Sequence, residues 1–200
     1  YVAQIYHFQE KYEELIAYAT PLLEQDEVQR GEEIALLVGN AHYSREEYAK
    51  AVPFLEKYMK STYNPEPEDA YRKGYSYYRA GDYQKAVDFL TKASKEENKL
   101  GQIATYQLAD SYLQLGEKKY SQNAFKLASK QFYDPEVTED ALFNYAKLAY
   151  ELSYDPFHEA IIAFEEYLET YPNSQRKDEA FEFLLKVHLP SWRVYGRSSQ

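Results

Sequence analysis

Side chains that bind protons, metals or acyl groups occur in this sequence, but seldom at spacings that build a reaction centre. The four histidines, His7, His42, His158 and His188, fall in four distant segments. Only incidental acids such as Glu46 follow one of them at helical spacing, which is not the pattern of a metal-ligand set. Cysteine is absent, which removes disulfides, thiolate metal sites and a cysteine nucleophile. The pairs Glu13-Glu14, Glu46-Glu47 and Glu165-Glu166 have the residue type of a general acid and base, yet on second helices they read as a solvated outer face. There is no G-x-G-x-x-G, phosphate-binding loop or G-x-S-x-G. The expectation is a non-enzyme with no metal and no cofactor. What the sequence has in surplus is tyrosine: 23, against one tryptophan and one methionine. Each tyrosine couples a large rigid ring to a hydroxyl that donates and accepts, a chemistry of recognition more than of reaction.

The elements that must carry these rings belong to a folded chain of 200 residues, 44% apolar and 28% charged. Its 23 basic and 33 acidic residues leave a net charge of −10, which argues against a polyanionic nucleic-acid partner. No apolar run approaches the roughly 18 residues needed to span a bilayer. The opening segment from Tyr1 to Tyr6 has no basic region followed by an apolar one, which leaves the compartment open.

A repeat organises the chain. An aromatic followed three residues later by a small residue recurs in Tyr48-Ala-Lys-Ala51, Tyr83-Gln-Lys-Ala86 and Phe157-His-Glu-Ala160, with looser copies at Leu15 and Ser121. From Leu15 the steps are 36, 35, 35 and 39 residues. Leu55, Leu90, Phe125 and Phe164 follow at i+4, and Tyr58, Ala93, Ala128 and Tyr167 at i+7, the apolar stripe of one helix. A second helical stripe lies upstream of each copy, centred on Gly39, Gly74, Ala109 and Ala146, small enough to let two helices approach closely. Between the stripes stand turn signals: Gly81-Asp82, Gly116-Glu117 and the segment from Ser153 to Pro156. Each unit is thus a helix, a short turn and a helix, and one such hairpin cannot bury both of its stripes without neighbours.

The pattern L-G-x-x-Y…A-x-x-x-F…P, most complete from Tyr71 to Ala86 and closed by Pro172, resembles the tetratricopeptide repeat. The resemblance covers residues 1–188 and implies an all-α, right-handed superhelical solenoid of antiparallel helix pairs. It counts a truncated first repeat, four complete ones, and the first helix of a sixth near Asp178–His188. Departures are Lys73 where leucine is usual, His42 where tyrosine is usual, and Pro21 and Pro53 inside expected second helices. Two incompletely covered ends suggest a segment of a longer array with a tendency to self-associate. Residues 189–200 lack a stripe and read as a flexible, non-repeat tail.

The resemblance implies a scaffold that holds a peptide or protein segment on the concave face lined by first helices. By register that face carries Leu36, Asn40 and Tyr43; Tyr71, Tyr75 and Tyr78; Tyr106, Asp110 and Leu113; and Phe143, Lys147 and Tyr150, flanked by Arg72 and Arg79. Tyr12, Tyr48 and Tyr83 are read as packing residues. The lysines with which some family members clamp the C-terminal carboxylate of heat-shock chaperones are missing from the register, so a co-chaperone role is not expected. The ending Tyr171-Pro-Asn-Ser174 and the acidic-aromatic helix after it look like repeats of bacterial envelope proteins, of the outer-membrane lipoprotein assembly and periplasmic cell-division coordination types. That narrower likeness implies a periplasmic or outer-membrane-associated location and a role in envelope assembly.

Overall fold

The computed structural model describes residues 1–25, 29–61, 65–152 and 157–195. Among these residues there are helices and no strands, grouped into two compact units that divide between Glu96 and Glu97. The first unit holds α1 (Val2–Phe8), α2 (Tyr12–Ala19), α3 (Gly31–Ser44), α4 (Tyr48–Ser61), α5 (Pro67–Ala80) and α6 (Tyr83–Ala93). The second holds α7 (Lys99–Gln114), α8 (Lys118–Ala128), α9 (Pro135–Leu152), α10 (Phe157–Thr170) and α11 (Lys177–Tyr195). Helices pack chiefly on those adjacent in sequence, α3 on α4 and α5 on α6, then α7 on α8 and α9 on α10, with α4 on α5 and α8 on α9 joining the hairpins of each unit. This is the nearest-neighbour arithmetic of a repeat protein.

The repeat positions form the core. Ala51, Leu55, Ala86, Leu90, Ser121, Phe125, Ala160 and Phe164 are all at most 1% exposed. They meet the small residues of the partner helix in register. A β-carbon added at Gly39 would stand 2.8 Å from Leu55 Cδ2, and one at Gly74 would stand 2.9 Å from Leu90 Cγ and 3.0 Å from its backbone nitrogen. In the second unit the same positions are Ala109 and Ala146, buried in one cluster with Phe125 and Phe164.

Four hairpin turns share one geometry. Glu10, Glu46, Gly81 and Gly116 all adopt left-handed backbone angles, with φ between 55° and 82°. In each, that residue's N–H and the next one's reach back to the helix end: Glu46 to Tyr43 O and Glu47 to His42 O, both at 2.9 Å, and Gly81 to Tyr78 O at 3.1 Å and Asp82 to Tyr77 O at 2.9 Å. This is a Schellman closure, which glycine enters without strain and glutamate does not. The turn expected from Ser153 to Pro156 lies outside the described residues. Asp82 caps α6 by accepting from the Lys85 N–H at 3.2 Å.

The prolines and the last helix refine the sequence reading. Pro53 does sit inside α4, whereas Pro21 ends the second helix at Ala19 and opens a 3-10 turn, Pro21–Glu24. α11 runs on to Tyr195, past residue 189 where the non-repeat tail is expected to begin. Residues 196–200 lie outside the described residues.

A device invisible to the repeat pattern fixes the connection between α8 and α9. Gln102 is fully buried. Its Nε2 lies within bonding distance of the carbonyl of Ala128 (3.2 Å), that of Gln131, and Thr138 Oγ1 (2.8 Å). Its Oε1 accepts from the Asp134 N–H at 2.7 Å, while Asp134 caps α9 by accepting from Glu136 and Val137.

Three substitutions test this account by thermal and chemical unfolding. Gly74→Ala gains about 1 kcal/mol of helix propensity but forces a methyl against Leu90 at about 1–3 kcal/mol, so it should lower the melting temperature; an increase would refute the close approach. Glu46→Gly should stabilise by about 0.5–1 kcal/mol by relieving the left-handed glutamate. Gln102→Leu should cost about 2–4 kcal/mol by leaving buried backbone groups without partners.

Candidate functional site

The helix-hairpin geometry gathers tyrosines from both helices of successive hairpins onto one face of the first unit. Tyr71, Tyr75 and Tyr78 repeat at the 4 and 3 spacing of one helical stripe along α5. Tyr75 stacks on Tyr71 with centroids 5.7 Å apart and on Tyr78 at 5.9 Å. Tyr43, one hairpin earlier on α3, meets Tyr75 edge-on at 6.0 Å. All four rings are half-buried, packed on one another with part of their surface open.

Tyr48 and Tyr83, read from the sequence as packing residues, belong to the same array. Tyr48 meets Tyr43 at 5.4 Å and Tyr75 at 5.3 Å, and Tyr83 meets Tyr78 at 5.8 Å, all edge-on. Their position at the start of the second helix, directly after the turn, could have signalled this. Arg79 lies with its guanidinium 4.5 Å from the Tyr48 ring centre and donates to the Tyr75 hydroxyl at 3.0 Å. Arg72 pairs with Asp69 at 3.3 Å. The two cations that flank the face are thus held by the protein itself, and the face presents rings and hydroxyls more than free charge.

Burial governs the acidity of Tyr43, Tyr48 and Tyr71. It pushes Tyr43 up to about 12, with the neighbouring Tyr48 and Tyr75 adding to the effect, and it raises Tyr71 and Tyr48 as well. These three hydroxyls are therefore neutral across the physiological range and able to donate. Leu36 and Asn40 sit half-buried on α3 in the turns before Tyr43. The side-chain oxygen of Asn40 is enclosed without a hydrogen-bond partner among the described residues.

The corresponding positions of the second unit are used differently. Phe143 is 3% exposed, 5.2 Å from Tyr167, and serves the core. Lys147 pairs with Glu179 at 3.3 Å, and Tyr150 packs edge-on against Phe183 at 5.4 Å, so both engage α11. Tyr106 packs on Phe125 at 5.3 Å; burial, then the charges of Asp140 and Asp110, pushes its hydroxyl up to about 12. Asp110 and Leu113 are half-buried on α7, and Leu113 packs against the hydrophobic cluster. The structure therefore gathers the first-unit tyrosines into one surface and spends most of the second-unit aromatics on helix packing.

His42, standing where tyrosine was the usual residue, is a structural side chain. It stacks on Phe54 at 5.5 Å and bonds Glu47 through Nδ1 at 2.7 Å. That bond holds the Glu47 carboxyl below its ordinary range. No group of histidines and acids able to hold a metal occurs among the described residues.

Residues 48–122 match the family model described as anaphase-promoting complex, cyclosome, subunit 3, and residues 140–174 match the tetratricopeptide repeat. Among solved structures, the chain is similar to YrrB, described as a tetratricopeptide protein with an unusual peptide-binding site, with a TM-score of 0.69 and 19% identity over 90% of this chain and 88% of that one. It is also similar to MamA (AMB-1), with a TM-score of 0.64 and 17% identity over 86% of this chain and 90% of that one, and to MamA (MSR-1), at 0.63 and 18% over 84% and 91%. At these identities the likeness concerns the fold. No curated protein sequence matches the chain. The register of the helix pairs, the fold they build and both family matches support the tetratricopeptide-repeat family for this chain, a family of scaffolds that are in general not enzymes.

Proposed function

We propose that this chain is a protein-interaction module that holds an extended peptide or protein segment on the tyrosine face of its first unit. The observation that carries the reading is the continuous array of Tyr43, Tyr48, Tyr71, Tyr75, Tyr78 and Tyr83, each ring in contact with another. Preordered rings lose little rotamer freedom when a ligand binds, and their neutral hydroxyls suit the carbonyls of an extended backbone. Asn40 adds an amide at the same face. Lys147, Tyr150 and Phe143, tied into the second unit, contribute structure and not contact to this reading.

A narrower reading places the chain in a bacterial envelope, periplasmic or outer-membrane-associated, with a part in envelope assembly. It rests on the turn from Tyr171 to Ser174 and the helix that follows. There Tyr167 Oη lies 2.7 Å from Ser174 Oγ and donates to Glu139 at 2.9 Å, which gives those residues a structural reason to occur together. The location is tested by fractionating the native cell and finding the protein in the periplasmic or the cytoplasmic extract.

Two measurements address the tyrosine face. Peptides selected from a displayed random library should shift the NMR signals of Tyr71, Tyr75 and Tyr78, and Tyr75→Phe and Tyr71→Phe, which keep the rings, should weaken them severalfold without lowering the melting temperature. Selected peptides that perturb only other surfaces would sink the reading. In an ultraviolet titration, Tyr43 should ionise near 12 and not near 10, the ordinary value. Because the folded pKa is raised, its stabilising contribution is complete below about pH 10 and is lost as the pH rises through the folded value.

A further inference from the structure

Lys73, which replaces the leucine usual at its repeat position, points away from the tyrosine face. It lies two residues from both Tyr71 and Tyr75, about 200° around the helix, and one turn before Tyr77. Its side chain enters the space between α4 and α6 and is only 6% exposed. The ammonium stands 4.1 Å from the centre of the Phe89 ring and 6.0 Å from that of Tyr77. Those two rings stack at 5.8 Å with 18° between their planes.

Among the described residues no acid comes within ion-pair distance of this cation. The neighbouring acid, Glu56, accepts from the Tyr77 hydroxyl, and no ion pair is made by Lys73, Lys60 or Lys92 among the described residues. Other lysines gather instead. Lys92 stands 5.2 Å from the Phe89 ring and Lys85 5.1 Å from the Tyr77 ring, Lys85 being paired with Asp82 at 3.2 Å. Burial holds Lys73 below the ordinary lysine range; Glu56 opposes that shift, and Lys92, Lys60 and Lys85 add to it. A buried ammonium whose neighbouring carboxylate, Glu56, is already engaged by the Tyr77 hydroxyl is only partly compensated, which is costly. It is the more unexpected in a chain whose acids outnumber its bases 33 to 23.

Lysine heads are compact point charges on flexible stems, suited to single carboxylates spaced along a chain, whereas arginine forks are suited to planar bidentate pairing. Phe89 is half-buried and Lys60 and Lys92 are exposed, so the cluster opens to solvent beside an aromatic floor. We infer that the α4–α6 surface around Lys73 binds an acidic, partly apolar peptide segment of a partner protein, one carboxylate of which pairs with Lys73. Lys60 and Lys92 hold flanking carboxylates, and an apolar side chain lies against Phe89. The inference does not depend on the tyrosine face, which lies on the opposite side of α5.

The probe is a fluorescein-labelled peptide of alternating Glu and Leu, compared by anisotropy with its Gln and Leu counterpart. The Glu peptide should bind and weaken as salt rises, and the Gln peptide should not bind. Lys73→Met, which keeps the stem and restores an apolar residue, should weaken the Glu peptide about tenfold or more. Lys92→Gln, on an exposed position that leaves folding intact, should weaken it severalfold, and Tyr75→Phe should leave it unchanged. Equal binding of the two peptides, no binding of either, or wild-type affinity in Lys92→Gln would overturn the inference. So would displacement of the peptide by millimolar inorganic phosphate at constant ionic strength, since the site would then serve a small anion.

Discussion

The close approach of the two helices in each hairpin is the constraint on which the rest depends. Gly39 against Leu55 and Gly74 against Leu90 leave no room for a β-carbon of ordinary clearance. With backbones this near, the large residue of the second helix fills the groove of the first and the remaining side chains are sorted by angle. The stripe through Gly74 and Tyr77 is held inside the hairpin. The stripe through Tyr71, Tyr75 and Tyr78 is left to one surface, and Lys73 is directed between neighbouring second helices. One spacing therefore creates two chemically distinct surfaces on the same helix.

The two units spend their aromatic residues differently. In the first, phenol rings pack on phenol rings, and Arg72 and Arg79 are engaged by Asp69 and by the rings themselves. In the second, Phe143 joins Phe164 and Tyr167 in the core, and Lys147 and Arg176 lie over its ring at 5.5 and 5.2 Å. Arg176 also pairs with Asp140 at 2.6 Å. A face built from interlocked rings is already ordered by its own contacts. A face built from ion pairs between helices is committed to holding those helices together.

Position in the repeat predicts burial better than residue type does. Ser121 occupies the small-residue position of α8 and is fully buried although polar, as the spacing from Ala86 requires. Glu10 and Glu46 take up the backbone conformation of Gly81 and Gly116 because the hydrogen bonds of the turn over-determine it. No glycine marks those two turns in the sequence. Gln102 illustrates the opposite case. Nothing in its neighbours sets it apart, and its role depends on the carbonyls of Ala128 and Gln131, which only the packed loop brings near it.

The helix pairs, their period, the small-against-large contacts and the identity of the α5 tyrosine stripe were legible in the residues alone, because helical spacing and recurrent steric size are local properties that survive without coordinates. Which aromatic rings share a surface was not. Tyr48 and Tyr83 stand at packing positions and also join the ring array, while Phe143 and Tyr150, which the register places on the face, have Tyr167 and Phe183 as ring neighbours. Those outcomes depend on how neighbouring helices lean on one another, and so on distances between residues far apart in the chain. The partial compensation of Lys73 has the same origin: a net charge is a sum over the sequence, but which carboxylate comes near a given cation is decided only in three dimensions.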